Sequence, residues 1–543
     1  PRGGLVLWWT GTARAPLPHA TTKDSHHDRT HPSPLRSLPR RRPARQRRRT
    51  ARAAAADPGL EHRSPRRHHA AREGLPVQEL QACPGLHQCR RRDIRGRRPP
   101  SGPADRVGQS HRDLVEPLDQ GPAPQRFHHG GAHRRGSENR RGAQMSHFAK
   151  VARVPGDPIL GLLDAYRNDP RADKLDLGVG VYKDAQGLTP ILRSVKLAEQ
   201  RLVEQETTKS YVGGHGDALF AARLAELALG AASPLLLEQR ADATQTPGGT
   251  GALRLAGDFI AHCLPGRGIW LSDPTWPIHE TLFAAAGLKV SHYPYVSADN
   301  RLDVEAMLAG LERIPQGDVV LLHACCHNPT GFDLSHDDWR RVLDVVRRRE
   351  LLPLIDFAYQ GFGDGLEEDA WAVRLFAGEL PEVLVTSSCS KNFGLYRDRV
   401  GALIVCAQNA EKLTDLRSQL AFLARNLWST PPAHGAEVVA AILGDSELKG
   451  LWQEEVEGMR SRIASLRIGL VEALAPHGLA ERFAHVGAQR GMFSYTGLSP
   501  QQVARLRDEH AVYLVSSGRA NVAGIDARRL DRLAQAIAQV CAD

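Results

Sequence analysis

At 543 residues the chain is long enough for three or four domains, and its formal net charge of +10 points at first to a phosphate-rich or anionic partner. Dividing the chain removes both inferences. Residues 1–144 hold 30 Lys and Arg against 12 Asp and Glu, whereas residues 145–543 hold 41 against 49, so the larger part is mildly acidic.

The first 144 residues also carry 17 of the 35 prolines and 12 of the 24 histidines, with Lys23 as the one lysine, Ile94 as the one isoleucine and no tyrosine. So little apolar content cannot offset the entropy of ordering a chain, and we read 1–144 as a disordered Arg/Pro-rich extension that is not native. The chain opens on Pro1, and Met145 is its first methionine. A nucleic-acid-binding arm is disfavoured because aromatic stacking residues are sparse there. A transit peptide would be poor in acids, and the apolar stretch Gly4–Trp9 is too short for a signal peptide. Eight irregularly spaced cysteines suggest a reducing compartment, and we expect a cytoplasmic protein. No run of eighteen apolar residues occurs, so no membrane-spanning helix is expected.

From Asp157 onward, short apolar runs alternate with longer amphipathic segments, the pattern of βα units around a mostly parallel sheet. Residues 269–271, 319–322, 351–355 and 383–385 read as buried strands, each followed by polar or glycine-rich sequence. Ligands of open α/β sheets gather at the carboxyl ends of strands, so these four ends point to one shared site. Residues 452–474 read as a long helix, followed by candidate strands at 492–495 and 512–515 that suggest a smaller second domain.

Three segments carry chemistry. Pro247-Gly248-Gly249-Thr250-Gly251 opens a helix whose face holds Leu253, Ala256, Gly257 and Ile260, and glycines at a helix start expose N–H groups to a phosphate. Asp356 ends one apolar strand with Tyr359 three residues on. A buried carboxylate there demands a cation, unless it serves only as a helix cap. Lys391 follows another strand among small residues, where desolvation lowers an amine pKa and readies it for Schiff-base chemistry. Each segment alone is weak, since most lysines are solvated and most glycine turns are only turns. Adjacent Cys325, Cys326 and His327 resemble metal ligands, but in an extended run their side chains would point apart, so we expect packing residues and no metal.

Together these segments resemble the class I pyridoxal-phosphate-dependent aminotransferases, in the branch of the aspartate and aromatic amino acid enzymes. The resemblance runs from about Asp157 to Val540. It includes Gly178-Val179-Gly180-Val181-Tyr182-Lys183-Asp184, Gln245 to Leu253, Cys325-Cys326-His327-Asn328-Pro329-Thr330-Gly331, Asp356 to Phe362, Ser390 to Tyr396 and Ser517 to Gly524.

The resemblance implies pyridoxal 5'-phosphate as cofactor and a fold-type-I architecture. It divides the chain into an N-terminal arm with part of a small domain at 145–188, a large cofactor domain at 189–458 and a small α/β domain at 459–543. It makes Lys391 the Schiff-base lysine and proton carrier, pairs Asp356 with the pyridine nitrogen, and sets Tyr359 and Asn328 on the ring hydroxyl. Trp276 would stack on the ring, with His279 and His323 supporting Asp356. Gly249, Thr250, Ser388, Arg399 and, from a second subunit, Tyr211 would hold the phosphate. Arg519 would grip the substrate α-carboxylate beside Gly180, and Arg425 of the neighbouring subunit would face the substrate side chain. Trp428 stands where the family usually has tyrosine, near that dimer contact. Val181, Lys183, Thr189 and Thr250 are similar to the aspartate branch, whereas Gly491 to Gly497 and Gly361-Phe362-Gly363 are similar to the aromatic one. The implied enzyme is a homodimer that passes the amino group of aspartate, tyrosine or phenylalanine to 2-oxoglutarate by a ping-pong route. Competing expectations are a lyase or decarboxylase on the same fold and a nucleic-acid binder acting through the arginine-rich extension.

Overall fold

The computed structural model describes residues 147–542 apart from 149, 155 and 157, so the extension expected over 1–144 lies outside the described residues. Eleven strands follow in chain order: β1 (Leu175–Asp176), β2 (Ala241–Pro247), β3 (Ile269–Asp273), β4 (Val290–Pro294), β5 (Val319–His323), β6 (Leu352–Phe357), β7 (Val383–Ser388), β8 (Val400–Cys406), β9 (Phe493–Tyr495), β10 (Val512–Tyr513) and β11 (Arg519–Asn521). Seven of them form one sheet in the order β2-β8-β7-β6-β5-β3-β4. All neighbours are parallel except β8, which runs antiparallel to both β7 and β2.

Strands buried on both faces read as continuous apolar runs, and here alternate residues divide between two cores. Leu321, Leu354, Leu384 and Leu403 face the cluster that contains Leu253, Phe259 and Phe283. Val320, Ile355, Val385 and Ile404 face the cluster that contains Val346 and Phe376. The four expected strands are β3, β5, β6 and β7. β2 escaped the sequence reading because its polar side chains are buried by hydrogen bonding: Gln245 accepts from the Asp217 amide at 2.8 Å and donates to the Pro432 carbonyl at 2.8 Å. β4 is an edge strand without an apolar run.

The register brings the glycine turn to the chemistry. Pro247 pairs with Val400, and Gly401 pairs with Ser388, so the ends of β2 and β7 meet across the start of β8. A Cβ on Gly401 would lie 2.6 Å from the Gly248 carbonyl carbon, which explains the glycine there.

Beyond this sheet, β1 pairs with β10 and β9 pairs with β11. The helix Ser446–Leu474 is capped by Asp445, which accepts from the amides of Glu447 and Leu448, and it buries Trp452, Val456, Met459, Ile463, Leu466 and Leu470 at three- and four-residue spacing. It begins six residues before the expected 452, and the boundary expected between 458 and 459 falls inside it. Among the described residues, no helix is long and apolar enough to cross a membrane.

Candidate active site

A cavity of about 260 Å³ opens at the carboxyl ends of β6 and β7. Lys391, Asp356 and Tyr359 meet in it, as the sequence predicts. The Lys391 amine lies 4.8 Å from the centroid of the Tyr359 ring. Burial pushes that amine down to about 8, with the Asp356 charge acting against the shift and Arg399 adding to it.

Burial alone would raise the Asp356 carboxyl, but the imidazole of His279 and the nearby Lys391 outweigh it and hold it below the usual carboxylate range. His279 Nε2 is 3.3 Å and His323 Nε2 4.0 Å from Asp356 Oδ2, and Thr386 Oγ1 donates to Oδ1 at 3.4 Å. Burial keeps His323 neutral, with its pKa lowered to about 3. The two expected supporting histidines are therefore in place. Trp276 lines the same wall and meets the His279 ring edge-on at 5.3 Å.

One end of the cavity consists of hydrogen-bond donors. Gly249 and Thr250 lie in the first turn of the helix Gly248–Cys263, which no side chain caps. Gly248 has φ +73°, and a Cβ there would lie 2.5 Å from Arg399 Nη2, so glycine alone fits. Arg399 Nη1 donates to the Tyr396 carbonyl at 3.0 Å, and among the described residues the guanidinium has no carboxylate partner. Ser388 and Ser390 complete this end. First-turn amides, hydroxyls and a guanidinium without a carboxylate partner suit a phosphate dianion.

At the other end stands Arg519 on β11, buried over the Phe493 ring at 4.4 Å. Its Nη2 donates to the Gly178 carbonyl at 2.8 Å, Nη1 approaches Asn328 Oδ1 at 3.5 Å, and Nε has no partner. No carboxylate faces it among the described residues, so this end suits an incoming carboxylate. Asn521 Nδ2 donates to the carbonyls of Val179 and Val181 and so fixes Gly180 between them, where a Cβ would strike the Phe493 ring at 2.8 Å. Asn328 reaches the cavity from a loop whose Cys326 and His327 amides donate to Asp333 at 2.7 and 3.0 Å.

Two predicted residues are not in the cavity. Tyr211 is 94% exposed, and among the described residues the Arg425 side chain hydrogen-bonds to Ser429 Oγ alone, at 2.8 Å. Gly214 rests against Ala421, so the loop carrying Tyr211 lies beside the helix Ala410–Trp428 that carries Phe422 and Arg425. Sequence reasoning assigned no role to Ser390, Tyr396 or Phe493, all of which line the cavity. Their signal was present, since each lies within a motif already noted.

One physical step in the sequence reading needs correction. Cys326 has φ +53°, so the run from Cys325 is not extended, and both thiols converge with Asp369 within 4.8 Å. The Asp369 oxygens instead accept from the amides of Gly361, Gly363, Asp364 and Gly365, which leaves them poorly placed as ligands. His327 points elsewhere, stacked on Tyr295 at 4.0 Å and bonded to Ser272 and Thr330.

Residues 172–537 match the family model described as aminotransferase class I and II, two thirds of the chain. The chain belongs to the class I and II aminotransferases. It is 48% identical to an aspartate aminotransferase of Salmonella typhi over 394 residues, covering 72% of this chain and all of the relative. It is 46% identical to the aromatic-amino-acid aminotransferase of Escherichia coli over 395 residues, again 72% of this chain and all of the relative. Among solved structures, the aromatic-amino-acid aminotransferase of Burkholderia pseudomallei, covalently bound to pyridoxal phosphate, superposes with a TM-score of 0.72 at 46% identity, covering 73% of this chain and all of that one. This aminotransferase thus belongs to a family that works with pyridoxal phosphate, and the uncapped helix start, Arg399 without a carboxylate partner, depressed Lys391 and anionic Asp356 fit that group.

Proposed function

We propose that the protein transfers the amino group of L-aspartate and of the aromatic amino acids tyrosine and phenylalanine to 2-oxoglutarate, the two substrates alternating at one site. The observation that carries this reading is the shared cavity: an amine at Lys391 whose pKa burial lowers, an anion at Asp356 and, at Arg519, a buried guanidinium whose Nε has no partner. When bound, pyridoxal phosphate supplies an electron sink for the bonds at the substrate Cα. Lys391 binds the cofactor and, in its neutral form, removes the proton from the substrate Cα. Its lowered pKa leaves a useful neutral fraction near neutral pH. Asp356 would keep a protonated pyridine nitrogen charged, and Tyr359 and Asn328 would donate to the ring oxygen. Trp276 would pack on the ring face.

Gly249, Thr250, Ser388 and Arg399 hold the phosphate, joined by the partner subunit's Tyr211. Arg519, beside Gly180 and Asn328, receives the α-carboxylate. The partner subunit's Arg425 faces the substrate side chain. Exposure of Tyr211, Phe422 and Leu219 around that region supports a homodimer, because large aromatic and aliphatic surface left in water favours association. We place the domain division at 189–458 and 459–543, with the small domain completed by 145–188, where β1 pairs with β10. The six described cysteines are all free, which supports a cytoplasmic setting.

A panel of amino donors against 2-oxoglutarate tests the proposal. Turnover of aspartate, tyrosine and phenylalanine supports it, and turnover of none of them rules it out.

A further inference from the structure

The helix Ser446–Leu474 carries a buried guanidinium, Arg467, that makes no ion pair among the described residues, Asp333 acting on it only through space. Arg467 is 2% exposed, and among the described residues its hydrogen bonds all go to one short segment. Nη1 donates to the Val486 carbonyl at 3.0 Å and to Ser494 Oγ, and Nη2 donates to the carbonyls of Arg490, Gly491 and Phe493. Desolvating a guanidinium is costly, and burial lowers this one to about 10. A planar fork of donors is the one side chain able to gather so many carbonyls at once.

The segment so gathered leads directly to the substrate end of the cavity. Residues 490–495 lean on the loop that carries Asn328: the Arg490 amide donates to the Gly331 carbonyl at 2.8 Å and the Tyr495 amide to the Thr330 carbonyl at 3.3 Å. Space there is tight, since a Cβ on Gly331 would lie 2.5 Å from the Phe493 carbonyl oxygen. The Phe493 ring then touches two working groups, lying 4.4 Å beneath the Arg519 guanidinium and edge-on to Tyr359 at 6.1 Å. In β9 and β11, Tyr495 pairs with Arg519 itself.

We propose that Arg467 is a positioning residue for the α-carboxylate grip: it fixes the carbonyls of 490–493, these fix Phe493, and Phe493 holds the Arg519 fork in its aim. The proposal deepens the aminotransferase reading and rests on it. A displacement of about 1 Å at a positioning contact is enough to cost catalysis heavily, so a shift of Phe493 reaches Arg519 without any change in Arg519 itself.

The test compares wild type, Arg467→Lys and Ser494→Ala as holoenzymes. Lysine keeps the charge but loses the fork. Three readouts are taken: KM and kcat for aspartate and 2-oxoglutarate, the binding of unreactive succinate by titration, and the melting temperature. The expected result for Arg467→Lys is KM for both substrates and Kd for succinate raised by about tenfold, with the cofactor's absorbance retained and kcat changed less. Unchanged KM and succinate affinity beside a lowered melting temperature would overturn the proposal, leaving Arg467 a purely structural tie. If Arg467→Lys does not fold, Ser494→Ala decides: succinate binding weakened at unchanged absorbance supports it, and unchanged binding overturns it. A wild type that turns over no amino acid would instead overturn the underlying reading, and the proposal with it.

Discussion

Arg519 and Arg425 are both assigned to a carboxylate, yet their surroundings are opposite. Arg519 is buried, tied to the Gly178 carbonyl and backed by the Phe493 ring, with Nε unpartnered. Arg425 is exposed at the end of its helix, and among the described residues its side chain hydrogen-bonds to Ser429 alone. A charge pair strengthens as water is withdrawn, so Arg519 is ready within one chain, whereas Arg425 becomes a strong reader only when another surface covers it. On the proposed reading, one half of the site is finished by folding and the other by association.

The largest effect should come from the finished half. Lys391→Ala should lower turnover by ~10⁴-fold or more, since both the covalent anchor and the proton carrier are lost. Steady-state assays check this, with borohydride fixation and mass spectrometry locating the cofactor on Lys391 in the wild type. Near-normal turnover would remove Lys391 from the chemistry.

The two arginines should then separate by substrate. Arg519→Leu should reduce kcat/KM for aspartate and phenylalanine alike, by roughly 30-fold or more for a desolvated charge-assisted pair. Arg425→Leu should reduce kcat/KM for aspartate at least about tenfold more than for phenylalanine, ~1.4 kcal/mol of differential transition-state binding. Equal losses in Arg425→Leu would mean that this residue does not read the side chain.

A smaller effect concerns stability without cofactor. The Lys391 amine is lowered from 10.5 to about 8, so between these values the unfolded chain binds more protons than the folded one and stability rises with pH. Below pH 8 the burden is complete. Lys391→Met should therefore stabilise the apoprotein at pH 7 by up to ~3 kcal/mol, a gain that shrinks as pH approaches 10.5. Urea unfolding at the two pH values measures it, and a gain independent of pH would place its cause in packing. The smallest expected effect is none: protein beginning at Met145 should keep its melting temperature and turnover, and loss of folding would show that residues 1–144 contribute.

Much of the cavity was visible in the sequence because many of its groups stand at or just past the end of a strand or open a helix. Lys391, Asp356 and Gly249 announce themselves as polar or glycine residues set against apolar runs. Arg467 did not, because its importance lies in contacts between segments far apart in sequence. Gln245 hid β2 for the same reason, its buried amide being satisfied by Asp217 and Pro432. The cysteine pair misled the geometry, since nothing in residue type foretold the left-handed Cys326.

The division of the site between two chains can be measured by mixing. Lys391→Ala and Arg425→Leu each damage a site, but in a hybrid dimer with shared sites one site carries both lesions and the other carries neither. Unfolding and refolding an equal mixture should restore aspartate transamination to about a quarter of the wild-type level, since half the dimers are hybrids with one intact site. Activity no higher than the sum of the separate variants would contradict the account and return Arg425 to its own chain.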